Sequence, residues 1–284
     1  MEKRILTIQD FSCMGRCSLT VAIPTISACG VEAVSIPTAV LSNHTAFKSW
    51  TYLDLTDQML PIVDKWQDYR HHFGMIYTGY LSNDQIPTVQ EIFRKLKAED
   101  TLIFVDPAMA DNGHLYAGFD EKHVEGMKAL MADADFIKPN LTEACLLTGL
   151  AYPGSEVGVC LNFYRRAMEN LAALGPKNVI LTGQNLTQDK VADLWYNRDS
   201  KALTIYETAT HPGRYHGTGD LFASAFAGCI VRGLGIEQAI HIAHDYVHEA
   251  IGYTVRNKLD GITYGPDFES ALPFLMKALE KTGK

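Results

Sequence analysis

At 284 residues, with 47% of them hydrophobic and 20% charged, the chain carries enough apolar material for a sizeable core and does not have a disordered or fibrous composition. A net charge of −8 excludes the broad positive field that holds nucleic acid or an anionic membrane, so an anionic ligand would have to be met by local donors. There is no run of roughly 18 apolar residues, and the opening Met1–Ile8 passes straight into a strand-like segment, so a cytoplasmic protein is expected.

Lys3–Gln9 reads as a strand, Ser18–Cys29 as a helix and Val31–Val40 as a strand. Leu55–Tyr69 reads as a helix, Met75–Leu81 as a strand, Asp84–Lys97 as a helix and Thr101–Pro107 as a strand. A helix over Glu121–Met131, a short strand over Phe136–Pro139, helices over 142–148 and 159–173 and a strand over Asn178–Gly183 follow. Strands with little polar alternation, separated by helices, predict an α/β protein with a mostly parallel sheet covered on both faces. Val191–Tyr196 and Ala202–Glu207 then flank the polar turn Asn197-Arg198-Asp199-Ser200 as a hairpin, and Gly219–Gly233, Glu237–Arg256 and Pro266–Lys281 are helical. With no internal repeat, linker or low-complexity tract, a single domain over 1–284 is expected.

The six cysteines stand singly, without a CxxC pair, and are expected to be reduced, packed thiols. In an open parallel sheet ligands bind outside the carboxyl ends of the strands. That directs attention to Gln9–Gly15, Thr78–Leu81, Asp106–Asp111, Lys138–Glu143, Thr182–Asn185 and the loop before Gly219.

Gly217-Thr218-Gly219-Asp220 opens a helix rich in small residues. Free amides at such a start suit phosphate, and Asp220 would oppose that anion unless it serves as a general base for an attacking hydroxyl. The alternative is a carboxylate that only complements the helix dipole. Asp106 and Asp111, in Asp106-Pro-Ala-Met-Ala-Asp111, offer oxygen ligands suited to Mg²⁺ on nucleotide phosphates, or else a strand end and a turn. Asn140 and Glu143 sit at N-cap and N3 spacing, which a capping box explains without any function. His244 and His248 imitate HExxH spacing, but the carboxylate between them is Asp245, and with His241 they border an apolar helix face; a helix flanking the core, or a subunit contact, is the simpler account. Neither a GxGxxG fingerprint after strand one nor a GxxxxGK[ST] loop occurs.

GTGD at the start of a late helix, DPxMxD after a middle strand and PNxxE after the next form an ordered set that resembles the ribokinase-like kinases over essentially the whole chain. Ile8-Gln9 with Gly15 nearby, Ser42-Asn43-His44-Thr45 and Thr78-Gly79-Tyr80-Leu81 are similar to the pyridoxal kinases. Gly15–Pro24 looks most like the bacterial pyridoxamine kinases. The resemblance implies a three-layer α/β/α kinase, commonly a homodimer, that phosphorylates the 5′-hydroxymethyl group of a B6 vitamer with ATP and Mg²⁺. It makes Asp220 the base and Gly217, Thr218 and Gly219 the anion hole. Asp111, Asn140 and Glu143 would place Mg²⁺ on ATP, with Asp106 beside them, and Thr182 and Gly183 would lie by the nucleotide phosphates. Thr45 and Tyr80 would line the pyridine pocket, and Asp10 and Ser12 the polar edge of the ring.

Two departures from the family pattern carry expectations of their own. Relatives usually have Ser where Asp10 stands, so a preference for pyridoxamine over pyridoxal is expected. Some relatives bind K⁺ near the counterpart of Asp106, and the ammonium of Lys138 would replace that ion. Thr208–His216, with Pro212-Gly213, has the loop chemistry of a lid. The alternatives are a hydroxymethylpyrimidine kinase, a sugar kinase of the same superfamily, or a non-catalytic vitamer-binding relative; Asp220 in an anion hole argues against the last.

Overall fold

β1 (Arg4–Ser12) is buried from Ile5 to Asp10, so both of its faces are covered. Burial of this kind belongs to the interior of a parallel sheet, and β1 pairs in parallel with β2 (Glu32–Leu41) on one side and β4 (Met75–Thr78) on the other. α1 (Leu19–Ala28) connects β1 to β2, β3 (Tyr52–Asp54) runs antiparallel along β2, and α2 (Thr56–Trp66) leads to β4. The computed structural model describes residues 3–67, 69, 72–154, 157–213 and 215–283.

Next come α3 (Gln85–Leu96), β5 (Leu102–Val105), the small hairpin β6 (Ala110–Asp111) and β7 (His114–Leu115), and α4 (Glu121–Met131). β8 (Phe136–Ile137), α5 (Leu141–Thr148) and α6 (Leu161–Ala173) lead to β9 (Asn178–Asn185), β10 (Lys190–Asn197) and β11 (Leu203–Ala209). The chain ends with α7 (Thr218–Arg232), α8 (Ile236–Arg256), α9 (Gly261–Tyr264) and α10 (Phe268–Glu280).

Two compact units are distinguished. The first comprises Met1–Gly79, Glu91–Thr101 and His211–Lys284, the second Tyr80–Gln90 and Leu102–Thr210. In the first, the strand order is β4-β1-β2-β3, and the small buried residues Ala223, Ala225 and Ala227 let α7 pack on α1 and α8. In the second, the order is β11-β10-β9-β8-β5, with β5, β8 and β9 parallel and the β9-β10-β11 meander antiparallel. The architecture is mixed α/β with a large, mostly parallel sheet, as the alternation of strands and helices predicts.

The differences from expectation are local. The strand expected to run to Leu81 ends at Thr78, and β9 continues to Asn185. The helix expected over Leu55–Tyr69 spans Thr56–Trp66, and Asp68 lies outside the described residues. β3, the β6–β7 hairpin and α9 were not anticipated, being elements of two to four residues held by pairing and caps rather than by periodicity. The β6–β7 turn did carry a signal: Asn112 (φ 52°) and Gly113 (φ 82°) occupy the two left-handed positions for which an Asn-Gly hairpin turn is suited. Of the expected lid, Thr208 and Ala209 belong to β11 and Arg214 lies outside the described residues.

Candidate active site

In the first unit, the start of α7 is set by Gly217, its N-cap, at φ 79°. A Cβ there would meet the Arg16 carbonyl oxygen at 1.9 Å, so only glycine allows the loop after β1 to approach so closely. The first amides of a helix have no intrahelical acceptor, and here they belong to the glycine-rich turn at Thr218 and Gly219, where they can serve a ligand. Thr218 Oγ1 donates to the Tyr215 carbonyl (3.2 Å), steadying the turn. Asp220, half-buried in the first turn, accepts the Ser18 N–H at Oδ2 (2.7 Å).

Ser18 also reaches the other carboxylate of this region. Its hydroxyl donates to Asp10 Oδ1 (2.5 Å), while the Ser12 hydroxyl donates to Asp10 Oδ2 (2.8 Å). Asp10 is 5% exposed, and burial raises its carboxyl above the ordinary range against the pull of the two hydroxyls. Burial, with Asp10 and Asp220 adding, likewise pushes the Cys17 thiol far up, so it stays protonated. Ser18 holds its position at φ 50°, ψ −135°, a conformation that costs a non-glycine residue on the order of 1–3 kcal/mol. Its carbonyl accepts from Val21 and Ala22, which starts α1.

The Ser42–Thr45 segment is anchored by its middle residues. Asn43 Nδ2 donates to the Ser49 carbonyl (2.9 Å), and His44 Nε2 lies 2.7 Å from the Thr263 carbonyl, while Nδ1 accepts the Ala46 N–H. Burial, with His216 adding, lowers the His44 pKa and keeps the ring neutral in this role. Thr45 itself is exposed beside this anchored pair. A cavity of about 480 Å³ opens next to them, lined among others by Cys13, Arg16, Tyr264 and Glu269.

In the second unit, Asp106 follows β5, and its Oδ2 lies 2.9 Å from Lys138 Nζ, which follows β8. Asn140 caps α5 in a complete capping box: its side chain accepts the Glu143 N–H, and Glu143 Oε2 accepts the Asn140 N–H (2.8 Å). Glu143 does more than cap, because its Oε1 accepts the Met109 N–H (3.0 Å), and Asn140 Nδ2 donates to the Ala110 carbonyl (2.8 Å). The Asn140–Glu143 motif thus ties the Asp106–Asp111 loop to the start of α5. Burial, reinforced by the nearby Asp106, raises the Glu143 pKa, with Lys138 and the backbone donors opposing. Asp111, half-buried on β6, accepts from Asn112 N and Nδ2. Among the described residues no group of three or more His, Cys, Asp or Glu side chains is gathered for a metal ion.

Thr182 and Gly183 lie within β9, where Gly183 (φ 72°) donates its N–H to Asp193 Oδ1 (2.8 Å) opposite a register shift in β10. Tyr80 stacks on Phe119 (5.4 Å between centroids), which stacks on His123 (3.8 Å). His123 Nδ1 lies 2.6 Å from Asn83 Oδ1, and burial holds its pKa down to about 4 against the charge of Asp120.

Sequence reasoning named Asp10, Ser12, Asp220 and the Gly217–Gly219 turn, and the structure gathers the carboxylates of Asp10 and Asp220 around Ser18. It did not single out Ser18, Phe119 or His123. Ser18 had a visible signal, a serine directly before an apolar helical run.

A mostly parallel sheet with a glycine-bounded helix start that presents a carboxylate among free amides defines a class: the small-molecule kinases of ribokinase-like fold. The model of the phosphomethylpyrimidine kinase family matches residues 19–263, well over half the chain, and the chain belongs to that family. Pyridoxal kinase of Dictyostelium discoideum is 29% identical over 269 residues, covering 88% of this chain and 87% of that protein. Hydroxymethylpyrimidine/phosphomethylpyrimidine kinase of Bacillus subtilis (strain 168) is 27% identical over 260 residues, covering 89% and 90%. A crystal structure from Bacteroides thetaiotaomicron VPI-5482, described as a phosphomethylpyrimidine kinase in a form with pyridoxal, is 34% identical at a TM-score of 0.90, covering 97% and 96%.

Proposed function

We propose that this chain transfers the γ-phosphoryl group of ATP to the 5′-hydroxymethyl group of a B6 vitamer: pyridoxal, pyridoxamine or pyridoxine. The observation that carries the reading is Asp220, held by the Ser18 amide in the first turn of α7. A carboxylate there opposes a resting anion, yet suits a base that takes the hydroxyl proton while the Gly217, Thr218 and Gly219 amides stabilise charge on the transferring group. Similarity to a pyridoxal kinase and to a structure containing pyridoxal supports the substrate class.

In the first unit we assign Asp220 as the base, Gly217–Gly219 as the anion hole and Asp10, Ser12 and Thr45 as vitamer contacts. In the second unit we assign Tyr80 to aromatic-ring contact and Asn140, Glu143, Thr182 and Gly183 to nucleotide binding. The oxygen donors of the second unit suit a hard cation such as Mg²⁺, which when bound neutralises charge on the phosphate oxygens. Asp111, half-buried where Asp106 and Glu143 are buried, would hold it directly. Glu143, whose oxygens already accept backbone N–H groups, would act through water, and Asp106, paired with Lys138, contributes charge.

We take the enzyme to be a cytoplasmic homodimer. Among the described residues no helix is long and apolar enough to cross a membrane. Exposed Trp50, Tyr52 and Leu53 at and beside the β3 edge support self-association, which light scattering after size exclusion would test.

Coupled ATP turnover on pyridoxal, pyridoxamine, pyridoxine and hydroxymethylpyrimidine, with Asp220→Asn as control, tests the reading. Turnover of a vitamer, lost by about 10²–10⁴-fold or more in the variant, is expected. Turnover of hydroxymethylpyrimidine alone would favour the second reading, a hydroxymethylpyrimidine kinase, for which the family model and the Bacillus relative speak. Binding of vitamers without any turnover would make the chain a binding protein.

A further inference from the structure

Ser18 is the only described non-glycine residue near Asp10 and Asp220 with a positive φ, at 50°, and it is 6% exposed. Its two donors go to different carboxylates, the amide to Asp220 Oδ2 (2.7 Å) and the hydroxyl to Asp10 Oδ1 (2.5 Å). Helix initiation alone does not account for this arrangement, since the Ser18 carbonyl serves Val21 and Ala22 while its side chain makes no cap to α1. A residue kept in a sparsely populated conformation persists because its surroundings over-determine it, and such residues cluster where geometry has a task. Here the unusual backbone turns the amide toward one carboxylate and the hydroxyl toward the other.

We propose that Ser18 is a positioning residue that fixes the reacting carboxylate Asp220 through its amide and the vitamer-contacting carboxylate Asp10 through its hydroxyl. The proposal rests on the roles of Asp220 and Asp10 given above. The amide fixes the orientation of Asp220 through Oδ2. The hydroxyl fixes Asp10 through Oδ1, and Ser12 holds its second oxygen. The two handles act on different constants: one on the chemical step, the other on vitamer binding.

Substitutions separate the handles. Ser18→Gly keeps the amide, tolerates the positive φ and removes the hydroxyl. Ser18→Thr keeps the hydroxyl, but its β-branch resists that φ and turns the amide away from Asp220. The full chain is used, its fold checked by circular dichroism, with turnover of pyridoxamine and pyridoxal and pyridoxamine affinity by calorimetry without ATP. Ser18→Gly is expected to hold kcat within about threefold of wild type and to weaken pyridoxamine binding by about tenfold or more. Ser18→Thr is expected to lower kcat by about tenfold or more while affinity stays within about threefold.

Equal losses of kcat and affinity in each variant, as a merely structural residue would give, overturn the proposal, as do two unchanged variants. If Ser18→Thr does not fold, Ser18→Gly decides alone, and unchanged pyridoxamine affinity overturns the positioning role. Asp220→Asn and Asp10→Ser run alongside. Wild-type turnover in the first or wild-type affinity in the second defeats the role given to that carboxylate. Loss in both, with Ser18 variants unaffected, defeats only the role of Ser18.

Discussion

The ammonium of Lys138 stands 2.9 Å from Asp106 Oδ2, and the two side chains expose only 5% and 4% of their surface. A fixed positive charge therefore already sits on the carboxylate beside which the family resemblance would place K⁺. Turnover is expected to be the same in K⁺ and Na⁺ at equal ionic strength, and clear activation by K⁺ would refute this. Lys138→Met strands a buried carboxylate and is expected to cost about 3–5 kcal/mol in denaturant unfolding.

Asp10 accepts from the Ser12 and Ser18 hydroxyls, with no cation beside it among the described residues, so a cationic substrate group would relieve its burial. Asp10→Ser is expected to lower kcat/KM for pyridoxamine relative to pyridoxal by about tenfold, the scale of one charge-assisted hydrogen bond. The measurement is parallel steady-state kinetics on the two vitamers. An unchanged ratio rules out a role for Asp10 in vitamer choice.

His123 is fully buried, stacked on Phe119, with its pKa lowered from 6.5 to about 4. The unfolded chain binds a proton more readily, so the stability from keeping this ring neutral is present above pH 6.5 and is lost as pH falls toward 4. The loss is on the order of 3 kcal/mol over that window. His123→Gln is expected to show a shallower decline in thermal stability between these two pH values; equal slopes for variant and wild type would contradict this.

Much of the fold was legible because its signals are local. The aliphatic cluster Ile5, Leu6 and Ile8 of β1, the hairpin turn between β10 and β11, and the Asn140–Glu143 capping box each declare themselves within a few residues. The elements that escaped are too short for a period to register, β3 at three residues and α9 at four. The site divides in the same way. The glycine turn before Asp220 can be read directly, whereas Ser18 meets Asp220 across 202 residues, and only tertiary structure brings them together. The capping box at Glu143 was recognised from spacing, yet its third hydrogen bond, to Met109, reaches back 34 residues.

The contact of Gly217 with the Arg16 carbonyl bears on how this enzyme can diversify. The segment after β1, which follows the proposed vitamer contacts Asp10 and Ser12, is wedged against the turn proposed to carry the chemistry. Neither can be lengthened or exchanged without disturbing its neighbour. A transplant of the Cys13–Ser18 loop from a relative of different substrate preference would therefore have to bring the matching Tyr215–Asp220 turn with it, and variation in the two segments should be inherited as a pair.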